Sequence, residues 1–385
     1  MKVVYKITPF VVVLVLCFEL FTLNGCYAPS SSNGGSMTYL SLVYTYTDTQ
    51  ETDRSNQSKT LFYMYDLANK QLKPIYSVSA TSMYQTGVVD YKNSKVYYAM
   101  WGNNGDTTLG DYKAGYKLVS YDLKTHAEKD ITSLHHEFRE LNLLNGEIIG
   151  IVAGSESNGE SQLSLIDPVT GSIQPISPDD TDVVYADYSI DHRTGEILTL
   201  TYSDFAARHE DVGSTTNTGS ACPYFISVTD AKLDPPKVIY TFSNHAYDVE
   251  HIDSNNSPET EELISITANN LEVNAASRMD GNNVLIIAGT AAWSNYATLK
   301  VLHLDRKNVD DFPIAGVKYY SKPLVMPDRS GMVINLTMQD GASGTYYYTF
   351  ADKSLKNLFS LQDVQKDLPI TATHLMLTDM ELVVQ

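Results

Sequence analysis

Eight residues of this chain have side chains suited to recognising a ligand, and they fall in loops between predicted strands. Aromatic rings stand there beside amide, carboxylate and imidazole groups, a combination that suits stacking on a sugar ring or holding a peptide. We predict a binding surface centred on the two tryptophans; the alternative is that each tryptophan covers the core beneath its own loop. The eight residues are Trp101, Asn103, Asp106, Tyr112, His209, Trp293, Asn295 and Tyr296.

The chain contains no motif that marks a catalytic or metal site. Gly-x-Ser-x-Gly is absent, and Cys222 has no basic neighbour in sequence that would favour a thiolate. The acidic segments 103–106 and 179–182 lack the ligand spacing of a calcium loop, and His-His-Glu at 135–137 lacks the helical spacing of a zinc motif. We therefore predict no catalytic residues, no metal site and no cofactor. The alternative is a catalytic site assembled from residues that are far apart in sequence and meet around a central axis.

A repeated unit positions the loops: an apolar strand that ends in aspartate, a turn, and another short strand. We interpret these aspartates as turn residues, because an Asp side chain after a strand accepts hydrogen bonds from backbone N–H groups two residues on. Almost nothing after residue 39 has the periodicity of an amphipathic helix, so the body is predicted to be all-β. The six repeated positions are Asp66, Asp122, Asp167, Asp230, Asp305 and Asp352.

The region from residue 39 to residue 385 contains turns such as Asp167-Pro-Val-Thr-Gly171 and Asp191-His-Arg-Thr-Gly195. Through these turns the region resembles the TolB-like and YVTN-like β-propeller families, which implies a β-propeller of four-stranded blades. The repeated aspartates lie 45 to 75 residues apart, against about 40 to 50 residues for one blade. We therefore predict six or seven blades, the seventh being built around residues 262–267.

The two ends of the body are suited to closing such a ring. The strand from Met37 to Tyr46 precedes the first repeat without an innermost partner, and residues 374–384 offer apolar strands at the other end. Pairing of the N- and C-terminal strands would remove the exposed edges of an open array. We predict that the C-terminal segment completes the sheet of the N-terminal strands.

The first residues predict where the protein is located. Lys2 and Lys6 precede an apolar run, residues 7–23, that ends at Leu23-Asn24-Gly25-Cys26, the order of a secretion signal. The tetrapeptide resembles the lipobox of bacterial lipoproteins, which implies removal of residues 1–25 and lipidation of Cys26 with acyl chains such as palmitate. A plain cleaved signal and an uncleaved anchor are the alternatives. Residues 26–37 are then predicted to be a flexible tether and residues 38–385 the propeller domain.

Composition limits the partners. A net charge of −19 argues against a nucleic-acid partner, because an acidic surface repels the phosphate backbone. The 43% of hydrophobic residues is enough to build a packed core. We expect contact with a membrane through the lipid anchor, and a protein, peptide or glycan partner in the cell envelope.

These observations lead to three hypotheses about function. The first is a lipid-anchored, extracytoplasmic binding module on the cell surface or in the periplasm, without catalytic activity. The second is an extracytoplasmic hydrolase or lyase acting on saccharides or small metabolites at the propeller axis; it requires at least two acidic or histidine side chains within reach of each other there. The third is a structural assembly subunit, as the resemblance to TolB-like domains implies.

Overall fold

The computed structural model describes most of the chain after the N-terminal segment. Its described ranges are 37–51, 58–79, 85–103, 114–133, 135, 137–153, 161–176, 182–203, 224–230, 235–242, 272–289 and 297–385. Within these ranges the chain forms six antiparallel sheets and one short helix, α1 (Leu361–Gln365). No helix in the described ranges is long and apolar enough to cross a membrane.

The sheets are the blades of a propeller, and the strands of each blade follow one another from an innermost strand at the axis to an outermost strand at the rim. Blade 1 consists of β25 (Ala372–Val384), β1 (Thr38–Asp48), β2 (Ser58–Asp66) and β3 (Gln71–Ser79). Blade 2 consists of β4 (Gly87–Asp90), β5 (Lys95–Asn103), β6 (Ala114–Asp122) and β7 (Glu128–Asp130). Blade 3 consists of β8 (Glu137–Leu144), β9 (Glu147–Ala153), β10 (Ser161–Ile166) and β11 (Ile173–Pro175).

The other three blades have the same meander order. Blade 4 consists of β12 (Val183–Asp191), β13 (Glu196–Ser203), β14 (Tyr224–Thr229) and β15 (Lys237–Phe242). Blade 5 consists of β16 (Glu272–Arg278), β17 (Asn283–Gly289), β18 (Thr298–His303) and β19 (Asn308–Asp311). Blade 6 has an interrupted innermost strand and consists of β20 (Val317–Tyr320) with β21 (Leu324–Val325), β22 (Gly331–Met338), β23 (Ser343–Thr349) and β24 (Leu355–Ser360).

The number of blades is six, which decides between the two numbers that the sequence left open. The innermost strands of blades 4 and 5 touch directly, because the backbone N–H of Ala276 in β16 donates to Asp187 Oδ2 in β12 at 2.8 Å. Leu200 of blade 4 and Ile286 of blade 5 belong to one buried cluster. No room is left for a further blade between them, and residues 262–267, where the seventh was predicted, lie outside the described residues.

The predicted closure of the ring is confirmed. β25 pairs with β1 in antiparallel register from Thr38 opposite Val384 to Asp48 opposite Ala372, so the C-terminal strand is the innermost strand of blade 1. Met37 and Gln385 extend the ladder by exchanging backbone hydrogen bonds of 2.7 and 2.9 Å. The pairing gives β1 a partner on both edges, as a closed propeller requires.

The meander gives the ring two distinct faces. We call one the Asp-turn face; it carries the turns between first and second strands and between third and fourth strands. We call the other the long-loop face; it carries the connections between second and third strands and between blades. Antiparallel neighbours alternate in direction, so every blade contributes to the two faces in the same way.

The hydrophobic core lies between the blades. Strand residues are buried on both faces because each sheet packs against a neighbour on either side, which accounts for continuous apolar runs in the second strands, such as Ile148–Val152. Five clusters fill the interfaces, represented by Phe62 with Val88, Leu40 with Leu324, Leu198 with Val284, Leu285 with Ile334, and Ile149 with Tyr188.

Candidate functional site

Trp101 is the one residue of the predicted loop surface whose side chain is described. It lies near the end of β5 on the long-loop face, with its ring 5.0 Å from that of Tyr116 in an edge-to-face contact at 79°. The side chain of Trp101 remains 41% exposed, so it does not simply cover the core. Asn103 ends the same strand. Asp106, Tyr112, His209, Trp293, Asn295 and Tyr296 lie outside the described residues, as does Cys26.

The long-loop face carries further exposed apolar residues. Tyr319, on β20, is 39% exposed, and Ile370, in the connection from α1 to β25, is fully exposed. Tyr319 belongs to blade 6, Ile370 joins blade 6 to blade 1, and Trp101 belongs to blade 2. Three of the five exposed large hydrophobic residues in the described ranges therefore share one face of three consecutive blades, a sector we call the apolar sector. Exposed apolar residues that share a face mark where an interaction surface would form.

Four of the six repeated aspartates, Asp66, Asp122, Asp167 and Asp352, accept the turn hydrogen bonds that were predicted for them. Asp167 Oδ1 accepts hydrogen bonds from the backbone N–H groups of Val169 and Thr170 at 2.7 and 3.3 Å, and its Oδ2 accepts one from Thr170 Oγ1. Gly171 follows with a φ of +73°, a conformation that favours glycine. Asp66, Asp122 and Asp352 accept equivalent bonds from backbone N–H groups two or three residues on, whereas Asp305 accepts one from the adjacent Arg306 N.

A second cluster of polar residues lies where the innermost strands meet. No sequence motif indicates this cluster. We call it the axial network, and all six blades supply a residue to it. Its charged members come from four different blades, and a backbone N–H or a hydroxyl is supplied by the other two. The members are Thr86, Glu140, Asn142, Asp187, Ala276, Lys322, Asp379 and Glu381.

Lys322 is the centre of the axial network. Its Nζ lies 2.9 Å from Asp187 Oδ1, 3.1 Å from Glu140 Oε2 and 3.6 Å from Glu381 Oε1. The ammonium group also stands 5.0 Å from the centroid of the Tyr188 ring, where the electron-rich face favours a cation. Lys322 can reach the axis because it falls in the interruption between β20 and β21.

Irregularities in the innermost strands direct these side chains toward the axis. The pairing of β8 with β9 shifts between Arg139 and Asn142, so Glu140 leaves the regular ladder, and its φ of +50° is unusual for a residue other than glycine. β12 shifts register immediately before Asp187, and β25 shifts immediately before Asp379. Such shifts re-aim a side chain, and backbone strain of about 1 kcal/mol or more is retained only where contacts compensate for it.

Part of the axial network is structural. The innermost strands present backbone N–H groups that no strand pairs with, and unpaired buried donors are costly. Asp187 accepts from Ala276 N of the next blade at 2.8 Å, and Asp379 Oδ2 accepts from Gly87 N at 3.4 Å and from Thr86 Oγ1 at 2.5 Å. The carboxylates of one blade therefore bind the inner edge of its neighbour, and the network joins the blades around the axis.

Glu140, Asp187 and Glu381 share the charge of a single lysine, and each disfavours ionisation of the others. Burial raises the pKa of Asp187 well above its usual range, and the neighbouring Glu140 raises it further. Burial also acts to raise the pKa of Glu140, but the charge of Lys322 and hydrogen bonds from Asp187 and Lys322 outweigh it and hold that pKa low. The pKa values of Glu140 and Asp187, which contact the same lysine, are therefore shifted in opposite directions.

The carboxyl groups of β25 titrate nearer to neutrality. Burial raises the pKa of Asp379 to about 7 against the hydrogen bond from Thr86, which lowers it. Burial raises the pKa of Glu381 to about 8 against the charge of Lys322, which lowers it. These two groups bind protons more tightly in the folded protein than in the unfolded chain.

These shifts predict that the protein loses stability as the pH rises from about 5 to 8. A carboxyl group whose folded pKa is raised contributes stability that is complete below its unfolded pKa and is lost as pH rises through its folded pKa, by up to about 1.4 kcal/mol per pH unit for each proton. Turn aspartates with lowered pKa values, such as Asp66 and Asp280, change the stability only below about pH 4. His135 and His192, whose pKa values burial lowers, make the protein more stable as the pH rises through about 6.

A variant comparison separates these contributions. Glu381→Gln keeps an acceptor for Asn142 Nδ2 and should flatten the fall in the midpoint of urea unfolding between pH 5 and 8. Asp352→Asn, at an exposed turn, is the matched control and should leave that fall unchanged. Identical pH profiles for the wild-type protein and Glu381→Gln would contradict the assignment.

A small cavity adjoins the axial network on the side of the Asp-turn face. Its volume is about 20 Å³ and its lining includes Asn142, Ser189, Arg278 and Glu381. That volume accommodates about one water molecule. In the parts of the chain that the structure describes, no three His, Cys, Asp or Glu side chains are placed to hold a metal ion together.

Comparisons with known proteins show the fold. No protein-family model matches the sequence, and no curated protein sequence matches it. Hydrazine synthase from Kuenenia stuttgartiensis is similar with a TM-score of 0.51 and 12% identity over 91% of this chain and 47% of that one. TolB from Acinetobacter baumannii is similar with a TM-score of 0.45 and 12% identity over 83% of this chain and 63% of that one.

A TolB candidate from Agrobacterium tumefaciens has a TM-score of 0.46 and 8% identity, over 91% of this chain and 99% of that one. This chain thus spans less than two thirds of the hydrazine synthase and Acinetobacter TolB chains. At 12% identity the similarity to hydrazine synthase concerns the fold alone, and activity has to be argued from this chain's own residues.

Proposed function

We propose that this protein is a lipid-anchored, extracytoplasmic β-propeller that acts as a binding or assembly module in the cell envelope. The observation that carries the proposal is the apolar sector, where Trp101, Tyr319 and Ile370 are exposed on the long-loop face of consecutive blades. Removing exposed apolar side chains from water by covering them with a partner is favourable. The lipobox-like segment ending at Cys26 supports the anchor and the location.

The chemistry of the apolar sector favours a protein or peptide partner over a glycan. Aromatic rings serve both kinds of ligand, but Ile370 offers no hydrogen bond to a sugar and a large area to an apolar side chain. Lys318, whose Nζ lies 4.8 Å from the Tyr319 ring centroid, places a positive charge beside the aromatic group. A partner with apolar and acidic side chains would fit this arrangement.

Binding should depend on the apolar sector and not on exposed apolar residues elsewhere. We expect Trp101→Ala with Ile370→Ser to weaken the partner's affinity by tenfold or more, since a central aromatic residue of an interface contributes about 2 kcal/mol. The measurement is capture from solubilised envelope, followed by a dissociation constant with the purified partner. Val169→Ser is the matched control, because Val169 is 74% exposed but lies on the Asp-turn face.

A partner that binds both variants equally would contradict the placement of the interface. Circular dichroism and the unfolding midpoint must match those of the wild-type protein, because Trp101 also packs on Tyr116. A variant that binds weakly but folds normally supports the proposal. Ile370→Ser alone makes the test independent of that packing, since the Ile370 side chain is fully exposed.

The second candidate function is hydrolysis or elimination at the propeller axis. The axial network favours it, because Glu140 and Asp187 carboxyl groups lie around one ammonium group and their pKa values are shifted in opposite directions, as an acid and a base require. We rank it second because the network's groups bind one another and the adjoining cavity holds about one water molecule. Turnover of a saccharide panel that disappears in Glu140→Gln, with folding unchanged, would reverse this ranking.

A further inference from the structure

Both ends of the propeller body leave it on the Asp-turn face. β1 begins at Thr38, which lies opposite Val384 at the end of β25, and Tyr39 lies opposite Asp66, where the Asp66 turn begins. The point at which the chain enters the body is therefore fixed to one face of the ring by the register of the closing strands.

The contacts around Gln385 hold this entry point in place. Met37 and Gln385 exchange two backbone hydrogen bonds, and the Gln385 side chain accepts from Lys92 N at 3.0 Å and donates to Asp90 Oδ1 at 2.8 Å. Lys92 and Asp90 belong to the first turn of blade 2, on the Asp-turn face. Blades 1 and 2 together fix the position of Met37, where the N-terminal segment joins the body.

We infer that the Asp-turn face is turned toward the anchoring membrane and that the long-loop face is presented away from it, to a protein partner that stands clear of that membrane's surface. This inference rests on the proposed lipid anchor at Cys26 and on the apolar sector as the binding surface. To the anchor it adds the orientation of the propeller on the membrane, and to the apolar sector it adds a partner located away from that membrane.

The covalent reach of the N-terminal segment supports the orientation. From Cys26 to Met37 the chain spans at most about 40 Å when fully extended. For the long-loop face to lie on the membrane, this segment would have to pass outward beyond β2 and β3, about 10 Å, and then descend along the outermost strand β3, about 30 Å. That path takes up the whole reach of about 40 Å, so the long-loop face could meet the bilayer only with the segment stretched to its limit, which the loss of conformational entropy opposes.

The axis offers no shorter path. The axial network occupies the middle of the ring, where Asp187, Asp379 and Glu381 are at least nine-tenths buried. The membrane anchor and the apolar sector are therefore held on opposite sides of the body.

The test measures the distance of each face from the bilayer. The full chain, with Cys222→Ser, is produced with its lipid and placed in vesicles of phosphatidylethanolamine and phosphatidylglycerol that carry an acceptor dye on the headgroup. A donor dye is attached at Lys124→Cys on the Asp-turn face or at Lys318→Cys on the long-loop face; both lysines are exposed. We expect roughly twofold higher energy transfer from position 124, because the body is about 35 Å high.

Three outcomes separate the inference from the function it rests on. Equal transfer from both positions, or higher transfer from position 318, overturns the orientation while leaving the anchor intact. Protein that fails to float with the vesicles overturns the anchor, and with it the orientation. As a matched control, 20 Gly-Ser residues inserted between Gly35 and Ser36 add about 70 Å of reach and should abolish the contrast; a contrast that survives the insertion overturns the argument from covalent reach.

Discussion

Replacing Lys322 with methionine should lower the free energy of unfolding by about 3 kcal/mol or more at pH 8. Methionine keeps the length and apolar stem of the side chain but removes the charge that Glu140, Asp187 and Glu381 share. Removing one partner of a buried ion pair leaves the others uncompensated, which is far more costly than losing a surface pair. The measurement is the urea unfolding midpoint at fixed protein concentration.

The expected loss depends on pH in a way that identifies its cause. At pH 5 the carboxyl groups can take up protons and lose their charge, so Lys322→Met should be less destabilising there than at pH 8. Adding Glu140→Gln to Lys322→Met should recover part of the stability, because the double variant no longer buries an unpaired carboxylate. A loss that is independent of pH and unaffected by Glu140→Gln would indicate a packing defect instead.

Lys117→Met provides the matched control. Lys117 Nζ lies 2.8 Å from Asp130, and Asp130 is 56% exposed. Exposed ion pairs contribute about 0 to 1 kcal/mol, because water and salt screen them. We therefore expect Lys117→Met to change the unfolding midpoint little, and a loss as large as that of Lys322→Met would contradict the special role of the axial network.

The parts of the fold that follow from local chemistry could be predicted from the sequence. Asp167 and Asp191 stand before Thr-Gly turns, and their carboxylates accept hydrogen bonds from groups within three residues, so these turns follow from local sequence. The pairing of β1 with β25 could also be predicted, because an apolar strand at each end of a repeat array lacks a partner. The number of blades could not be predicted, because it depends on the direct contact between blades 4 and 5. The sequence between these blades is long enough to suggest a further blade.

The axial network could not be predicted from motifs, since its members are far apart in the chain. Glu140 and Lys322 are 182 residues apart, and they meet because ring closure brings the innermost strands together. A weaker signal was present: Asp187 and Glu381 are charged residues whose immediate neighbours in β12 and β25 are apolar or aromatic. A charge in an innermost strand needs a partner across the axis, and the strand order is required to know which strands those are.

Removing residues 374–385 should abolish soluble folding. The deletion takes away nearly all of β25, so β1 loses one of its two partners and blade 1 gains an exposed inner edge. It also removes Met380, Leu382 and Val383, each buried and each contributing about 1.5 to 3 kcal/mol, together with Asp379 and Glu381 of the axial network. The sum is comparable with the whole stability of a typical domain, about 5 to 15 kcal/mol.

A circular permutant distinguishes the loss of β25 from the loss of a chain end. Gln385 and Met37 are hydrogen-bonded neighbours, so an Asn-Gly turn can join them in a chain that starts at Thr371 and ends at Ile370. This permutant, which omits residues 1–36, should be soluble and cooperative in unfolding, whereas residues 37–373 alone should be insoluble or lack near-ultraviolet dichroism. If residues 37–373 folded as well as residues 37–385, ring closure by β25 would contribute little to stability. If the permutant were insoluble while residues 37–385 were soluble, the order of the strands along the chain would matter as well as their final pairing.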